Sequence, residues 1–204
     1  MGCETEACGN LIYIWVEFLS LGSRKADALT LTNTEERLQR ITKLPRKTVL
    51  LMREGVSLET DLSRPILDSM AQSVADRLDL ADEFVSMGQA LMRSRTDLSR
   101  AAIARFYYAM YHAMRAASYQ HFEGDDNQAH SDLSSKGVPP DYPSFRIAAN
   151  ELKNARILRN EADYEQYPFN RSYFKSQAKN LKPIAIAFVQ TARSYVTSKG
   201  NLYS

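Results

Sequence analysis

One stretch of the chain repeats arginine, tyrosine and histidine at a helical spacing, and these side chains can do chemistry. The repeat consists of Arg105, Tyr108, His112, Arg115 and Tyr119, which we call the polar stripe. Residues three and four positions apart lie on one face of an α-helix. Arginine donates to phosphate, tyrosine stacks on other rings, and histidine exchanges protons near neutral pH. The polar stripe therefore predicts a polar groove or a subunit interface, or else an interior helix whose polar tips bond to neighbouring helices.

The same stretch, residues 97–122, also carries an apolar stripe at the same spacing. Its members are Ile103, Phe106, Met110, Ala113 and Ala117. The two stripes are offset by two residues, which separates them by about 200° around a helix. The apolar stripe is therefore expected to face the core, and the polar stripe to face roughly away from it.

Other elements must position this helix. A long amphipathic helix is predicted at residues 65–93, and the short turn after it should make it pack antiparallel to the helix at residues 97–122. Helices are also predicted at residues 143–164 and 171–198, and a shorter one at residues 35–43. In the helix at residues 143–164, a further polar face joins Arg156, Arg159 and Asp163.

Three segments lack a clear helical pattern. Residues 48–52 form a short apolar run that is compatible with a strand or a helix, and residues 55–65 are predicted to be a linker. Residues 124–142 are rich in Gly, Pro, Asp and Ser and are predicted to be a long loop, with His130 near its middle.

These elements predict an all-α fold. We expect an antiparallel up-down bundle of four to five helices with a partly helical extension before it. The expected divisions are an N-terminal extension, partly irregular, at residues 1–60, the bundle at residues 65–198 and a tail at residues 199–204.

The composition is that of an ordinary globular protein, with 44% hydrophobic and 25% charged residues and a formal net charge of +2. From Arg146 onward, ten basic residues face four acidic ones, which suits either a polyanion-binding surface or a solvated helix face. The apolar run at residues 11–21 is too short to span a bilayer, so no membrane association is predicted. Cys3 and Cys8 have no further metal ligands nearby, and a cytoplasmic location is expected.

The region at residues 65–198 resembles the HEPN (higher eukaryotes and prokaryotes nucleotide-binding) superfamily. The resemblance lies in RFYYAMYHAMRAA at residues 105–117, AHSDL at residues 129–133 and LRNEADY at residues 158–164. It implies a helical bundle that commonly forms a homodimer. Many members are metal-independent endoribonucleases of toxin-antitoxin or antiviral-defence systems, often encoded beside a minimal nucleotidyltransferase that acts as the antitoxin.

In those nucleases an Arg-x4-6-His motif, often with Asn after the Arg, lies on the third helix of the bundle. Arg159 and Asn160 match its first half. The positions where the His would fall hold Tyr164, Glu165 and Gln166, so this chain departs from the motif at the residue that acts as acid or base.

Two hypotheses follow from this departure. In the first, the protein is a dimerising module that binds RNA or a nucleotide without cleaving it, with Asp163 paired to Arg159 or Arg105 and Tyr164 packed against the central tyrosines. In the second, it is an endoribonuclease in which His112 or His130 replaces the missing histidine. The candidate catalytic residues are Arg159, Asn160, His112 and Arg105, and the candidate binding residues are Tyr108, Arg115, His130, Arg156, Asp163 and Tyr164.

No metal and no cofactor is predicted. The sequence shows no glycine-rich phosphate loop, no cluster of metal ligands and no nucleophile elbow. The expected partners are a second copy of the chain, RNA or a nucleotide, and a protein such as a minimal nucleotidyltransferase.

Overall fold

The computed structural model describes residues 32–167 and 171–204, and every regular element in these ranges is an α-helix. The all-α helical bundle expected from the sequence is therefore confirmed. The predictions for Cys3, Cys8 and the apolar run at residues 11–21 lie outside the described residues. The chain divides into two compact units, with the boundary between Glu54 and Gly55.

Helix α1 spans Asn33–Thr42 and begins with a capping box. The Thr32 side chain accepts a hydrogen bond from the backbone N–H of Glu35, and the Glu35 carboxylate accepts one from the backbone N–H of Thr32. This reciprocal pair satisfies two donors that would otherwise lack partners at a helix start. The predicted helix at residues 35–43 therefore agrees with α1 to within two residues at its start and one at its end.

Helix α2 spans Arg46–Leu62, and the unit boundary falls inside it. The ambiguous run at residues 48–52 is helical. The prediction of a linker at residues 55–65 is wrong, because α2 continues through Gly55 as far as Leu62 and only residues 63–65 connect it to the next helix. One glycine in a helix costs only about 1 kcal/mol relative to alanine, which the helix formers around it offset.

Helix α3 spans Ile66–Met92 and helix α4 spans Ser99–Phe122. They run antiparallel, since Gly88 near the end of α3 lies against Phe106 near the start of α4, while Arg77 pairs with Asp125 just beyond the end of α4. At the turn, the Asp97 carboxylate accepts hydrogen bonds from the Ser99 backbone N–H at 3.1 Å and from its hydroxyl at 2.6 Å. Asp97 thus stabilises the start of α4.

Helix α4 is the central element of the bundle. More than half of its residues are buried, and it contacts α3 and the two long helices that follow it. All five residues of the apolar stripe are fully buried, whereas the five residues of the polar stripe are half-buried. The two faces predicted from spacing are therefore confirmed by burial.

The loop predicted at residues 124–142 contains a short helix, α5, at His130–Ser135. His130 begins this helix instead of lying in an irregular loop. Leu133 is the buried residue of α5 and anchors it to the core. Six residues are too few to show a helical period, which is why the sequence did not reveal α5.

Helix α6 spans Phe145–Tyr164 and helix α7 spans Arg171–Ser198. Arg100, near the start of α4, donates to the carbonyls of Ala162 and Glu165 at the end of α6, so α6 runs antiparallel to α4. The Arg100 guanidinium also lies 4.0 Å above the ring of Phe174, near the start of α7, so α7 runs parallel to α4. The four long helices therefore alternate in direction as an up-down bundle.

None of the helices in residues 32–167 and 171–204 has a stretch long and apolar enough to cross a membrane.

Candidate anion-binding site

Arg159 joins the polar stripe of α4 to the polar face of α6. Its Nη2 donates to the hydroxyl of Tyr108 at 3.1 Å, and its guanidinium lies 5.3 Å from the ring centres of both Tyr107 and Tyr108. Only 8% of Arg159 is exposed. A guanidinium held this firmly against aromatic rings is oriented in advance for an anion, because its planar fork cannot turn freely.

The other neighbours of Arg159 come from α6 itself. Its Nε lies 3.7 Å from the Asp163 carboxylate, and its Nη1 donates to the Asn160 side-chain oxygen at 3.2 Å. Nη1 also lies 3.4 Å from the hydroxyl of Tyr164, which is 74% exposed. Of the two pairings suggested for Asp163, the structure shows the one with Arg159. The Tyr164 ring faces the Arg159 guanidinium, at 5.9 Å.

His130 approaches the same tyrosines from α5. Its Nδ1 lies 2.6 Å from the Tyr107 hydroxyl, and its ring centre is 4.4 Å from that of Tyr111. The Tyr111 hydroxyl donates to the Gln128 carbonyl at 2.6 Å, which fixes the segment that leads into α5. Burial lowers the pKa of His130 below its usual value, and the positive charges of Arg159, Arg156 and Arg115 lower it further.

His112 lies one turn further along the polar stripe than Tyr108. Its ring stacks on Phe84 of α3, with ring centres 5.4 Å apart and planes 4° from parallel. Burial lowers the pKa of His112 to about 4, and the charges of Arg77, Arg115 and His130 contribute. His112 is therefore neutral at pH 7. Its Nδ1 is buried and has no hydrogen-bond partner within the described part of the chain.

Arg115 and Arg77 meet at Asp125, just after the end of α4. Arg115 donates to both Asp125 oxygens, with its Nε 3.1 Å from Oδ1. Arg77 of α3 lies 3.8 Å from the same carboxylate. Sequence reasoning missed Arg77 and Asp125. The spacing of α3 could have identified Arg77. It lies three residues after the buried Val74 and four before the buried Ala81, which places it beside the buried face of the helix.

The charges at this site do not balance. Arg77, Arg115, Arg156 and Arg159 bring four positive charges, while Asp125 and Asp163 bring two negative ones. The Nε of Arg156 is buried without a hydrogen-bond partner among the described residues. A half-buried excess of guanidinium groups attracts anions, and phosphate matches the donor geometry of arginine.

Two of the predicted catalytic residues lie at the edge of this arrangement. The guanidinium of Arg105 lies 5.7 Å from the ring of Phe84, beside the stack formed by His112. Asn160 is exposed and reaches the site through its contact with Arg159. The described residues contain no group of three or more histidine, cysteine or carboxylate side chains that could hold a metal ion.

Together, the fold and the site define a class of protein: an all-α helical bundle with an arginine-rich, tyrosine-lined site between its second and third long helices. No protein-family model matches the chain, and no curated protein matches it either.

Proposed function

We propose that this protein is a HEPN-type module that binds the phosphate groups of RNA or of a nucleotide at the site around Arg159. The observation that carries the proposal is the buried guanidinium of Arg159, which lies over the rings of Tyr107 and Tyr108. On the same helix, the Nε of Arg156 is buried without a hydrogen-bond partner among the described residues, so a phosphate placed there would meet more than one cation. The tyrosine rings of α4 offer flat surfaces for a base beside it.

The biological setting that the resemblance implies is part of the same proposal. We infer a homodimer in a toxin-antitoxin or antiviral-defence system, with a partner such as a minimal nucleotidyltransferase. The exposed ring of Tyr164, in contact with the guanidinium of Arg159, supports a second copy or a ligand that covers this side of α6. Large exposed aromatic side chains beside a charged site are typical of interfaces.

The residues at the positions of the family's catalytic histidine favour binding over cleavage. Tyr164 and Glu165 occupy two of those positions and both are exposed. Neither position holds the imidazole that the motif uses as its acid or base. His112, the nearest substitute on α4, stacks on Phe84 and buries one of its two ring nitrogens.

Endoribonuclease activity is the second candidate, and one observation favours it. The Nδ1 of His130 lies 2.6 Å from the Tyr107 hydroxyl, and in the tautomer whose Nδ1–H donates to that oxygen the Nε2 is left to accept a substrate proton. The lowered pKa keeps this imidazole neutral at pH 7, as a general base must be. Arg159 would then stabilise the charge that develops on the phosphate.

The first test measures binding of a labelled single-stranded RNA and of a labelled nucleotide by fluorescence anisotropy. Arg156→Ala removes one cation, and we expect it to weaken binding about 5- to 10-fold and to reduce the slope of log K against log salt by about one. Arg159→Lys keeps the charge but loses the planar fork, and we expect a similar loss. The matched control is Arg146→Ala, an exposed arginine on the same helix, which should change affinity less than twofold.

A second readout shows whether the ligand occupies this site. Since nearby positive charges lower the pKa of His130, a bound phosphate should raise that pKa, and a histidine titration by NMR with and without ligand measures the change. Binding without a change in the His130 pKa would place the ligand elsewhere and contradict the proposal. Failure of the wild-type protein to bind either probe would contradict it as well.

Cleavage is tested separately with total RNA and tRNA. If the protein only binds, both stay intact under conditions where a related nuclease cuts them. If it cleaves, His130→Gln and Arg159→Lys should each abolish cleavage while His121→Gln keeps it, because His121 contacts Tyr195 and Asp141 and not the tyrosines of the site.

A further inference from the structure

Helices α6 and α7 enclose a groove that the Arg159 site does not use. Both helices pack chiefly on α4 and touch each other at few positions, so space remains between them. Two cavities of about 330 Å³ and about 440 Å³ lie along this space. Both are lined by Glu151 of α6 and Ile184 of α7, so they adjoin each other along one groove. Each has the volume of a small-molecule site.

The walls of the groove are mostly apolar. They include Ile147, Ile157, Leu158, Leu181, Ile184 and Phe188. Ile147, Ile157 and Ile184 remain well exposed, although side chains of this kind gain free energy when they are covered. The groove lies on a different side of α6 from the two arginines, because Glu151 and Leu158 are about 140–160° around the helix from Arg156 and about 80–100° from Arg159.

The walls also carry polar residues, among them Asn154, Gln177 and Asn180. Tyr142 and Glu151 differ from these in burial and in charge. Tyr142 lines the larger cavity and is only 3% exposed, yet its hydroxyl has no hydrogen-bond partner among the described residues. Glu151 is half-buried between the two cavities, and no lysine, arginine or histidine lines either of them. The Tyr142 hydroxyl and the Glu151 carboxylate are close enough for the charge of Glu151 to raise the pKa of Tyr142, after burial as the larger cause.

A partly desolvated carboxylate is costly unless a cation lies beside it. Glu151 is such a group, since it is half-buried and no basic side chain lines either cavity. Burial raises the pKa of Glu151, in agreement with this. The other glutamate at this groove, Glu161, already accepts a hydrogen bond from Tyr173 at 3.2 Å. A cationic ligand in the groove would therefore pair with Glu151.

We propose that the groove between α6 and α7 binds a small organic cation, a primary ammonium or guanidinium group carried on an apolar chain. The cation donates to the Glu151 carboxylate, and the chain lies along Ile184 and Phe188. A neutral ligand would leave the carboxylate without a cation. An anion would be repelled by Glu151. This site is independent of the proposed phosphate binding, and either one can fail without the other.

The test uses the full chain and three probes of equal chain length, titrated by calorimetry and by NMR. The probes are n-hexylamine, 1-hexanol and hexanoate. We expect hexylamine to bind with millimolar or better affinity, hexanol to bind at least about tenfold more weakly, and hexanoate not to bind, because only the amine supplies a charge-assisted donor. Equal binding of hexylamine and hexanol would overturn the proposal, as would a wild-type protein that does not bind hexylamine.

Variants assign the binding to Glu151. Glu151→Gln keeps the size and removes the charge, and we expect about a tenfold loss of affinity for hexylamine. Tyr142→Phe removes a hydroxyl that is closed off from the cavity, so we expect affinity unchanged within about twofold together with an equal or higher melting temperature. A second control is Glu165→Gln, an exposed glutamate that lines neither cavity and should leave affinity unchanged. Unchanged affinity of the Glu151→Gln variant would overturn the proposal.

Discussion

The guanidinium of Arg159 shows how one side chain can connect two helices. It lies over two tyrosine rings of α4 and beside the carboxylate of Asp163 on its own helix. Each of these contacts favours the charged form and restricts its orientation. Its Nη1 donates to Asn160 and Tyr164 and its Nη2 to Tyr108, so three of its five N–H donors are occupied and two remain for an anion. This remaining capacity distinguishes a binding arginine from a purely structural one.

His112 gives a prediction at the same scale. Its pKa is about 4 in the folded protein and about 6.5 in an unfolded chain, so between these values the unfolded state binds more protons. Protonation therefore favours unfolding as the pH falls from about 6.5 to about 4, and the free energy of unfolding decreases over this window. After allowance for solvent screening of a half-buried ring, we expect a decrease of about 1–2 kcal/mol from this residue.

His112→Phe removes the titration and keeps the stack on Phe84. Urea unfolding at pH 7 and at pH 4.5, with the wild type and the variant, measures the effect. The variant should lose less stability than the wild type between the two pH values, and at pH 7 it should be no less stable, because it also removes a buried nitrogen without a partner. The same loss in both proteins would show that His112 does not cause it.

Among the elements, α4 and α3 pack so closely that one glycine decides their separation. A Cβ atom at Gly88 of α3 would lie 2.6 Å from the ring of Phe106, which is fully buried in α4. Carbon atoms do not approach this closely without repulsion, and the buried ring has no free space to move into. Gly88 therefore allows the two helices to pack at the distance that brings Phe84 onto His112.

We expect Gly88→Ala to lower the free energy of unfolding by about 1–3 kcal/mol, because overpacking outweighs the better helix propensity of alanine. Gly55→Ala is the matched control. At Gly55 in α2 the new Cβ would lie 3.8 Å from Ile66, an ordinary contact, so the substitution should raise stability by about 0.5–1 kcal/mol. Denaturant unfolding measures both. A stabilising Gly88→Ala would refute the tight α3–α4 contact.

For the whole molecule, the last residues close the bundle of the second unit. Asn201 follows α7 and is only 4% exposed. Its Nδ2 donates to the Ala71 carbonyl of α3 at 2.9 Å and to the Gln120 side chain of α4 at 3.2 Å. One side chain thus joins the end of the chain to two helices. The sequence suggested a tail at residues 199–204 and gave no reason to single out Asn201.

We expect Asn201→Ala to lower the free energy of unfolding by about 1–3 kcal/mol, since it leaves a buried carbonyl and an amide oxygen without their donor. Leu202→Ala serves as the control, because Leu202 is 91% exposed and should change stability by less than about 0.5 kcal/mol. Thermal or urea unfolding of the full chain compares the two. Equal effects would mean that the hydrogen bonds of Asn201 do not hold the end of the chain.

The helices of this protein could be predicted because their signals are local. The apolar spacings of α3 and α4 act within a few residues, and the structure agrees with both predictions. The errors arose where local signals are weak. Gly55 suggested a break, but its cost is about 1 kcal/mol and the helix continues. Helix α5 has only six residues and one buried side chain, too little to show a period.

The sequence by itself determined an all-α chain and the two faces of its central helix, because the buried residues of a helix recur with its period of 3.6 residues and this spacing is visible in the sequence. Only the tertiary structure decided which charges share the site. It brought Arg77 from α3 and His130 from α5 to the polar stripe, and it placed Arg159 over Tyr107 and Tyr108. These contacts depend on how far each helix is rotated and shifted relative to its neighbour, and the spacing of residues within one helix does not determine this.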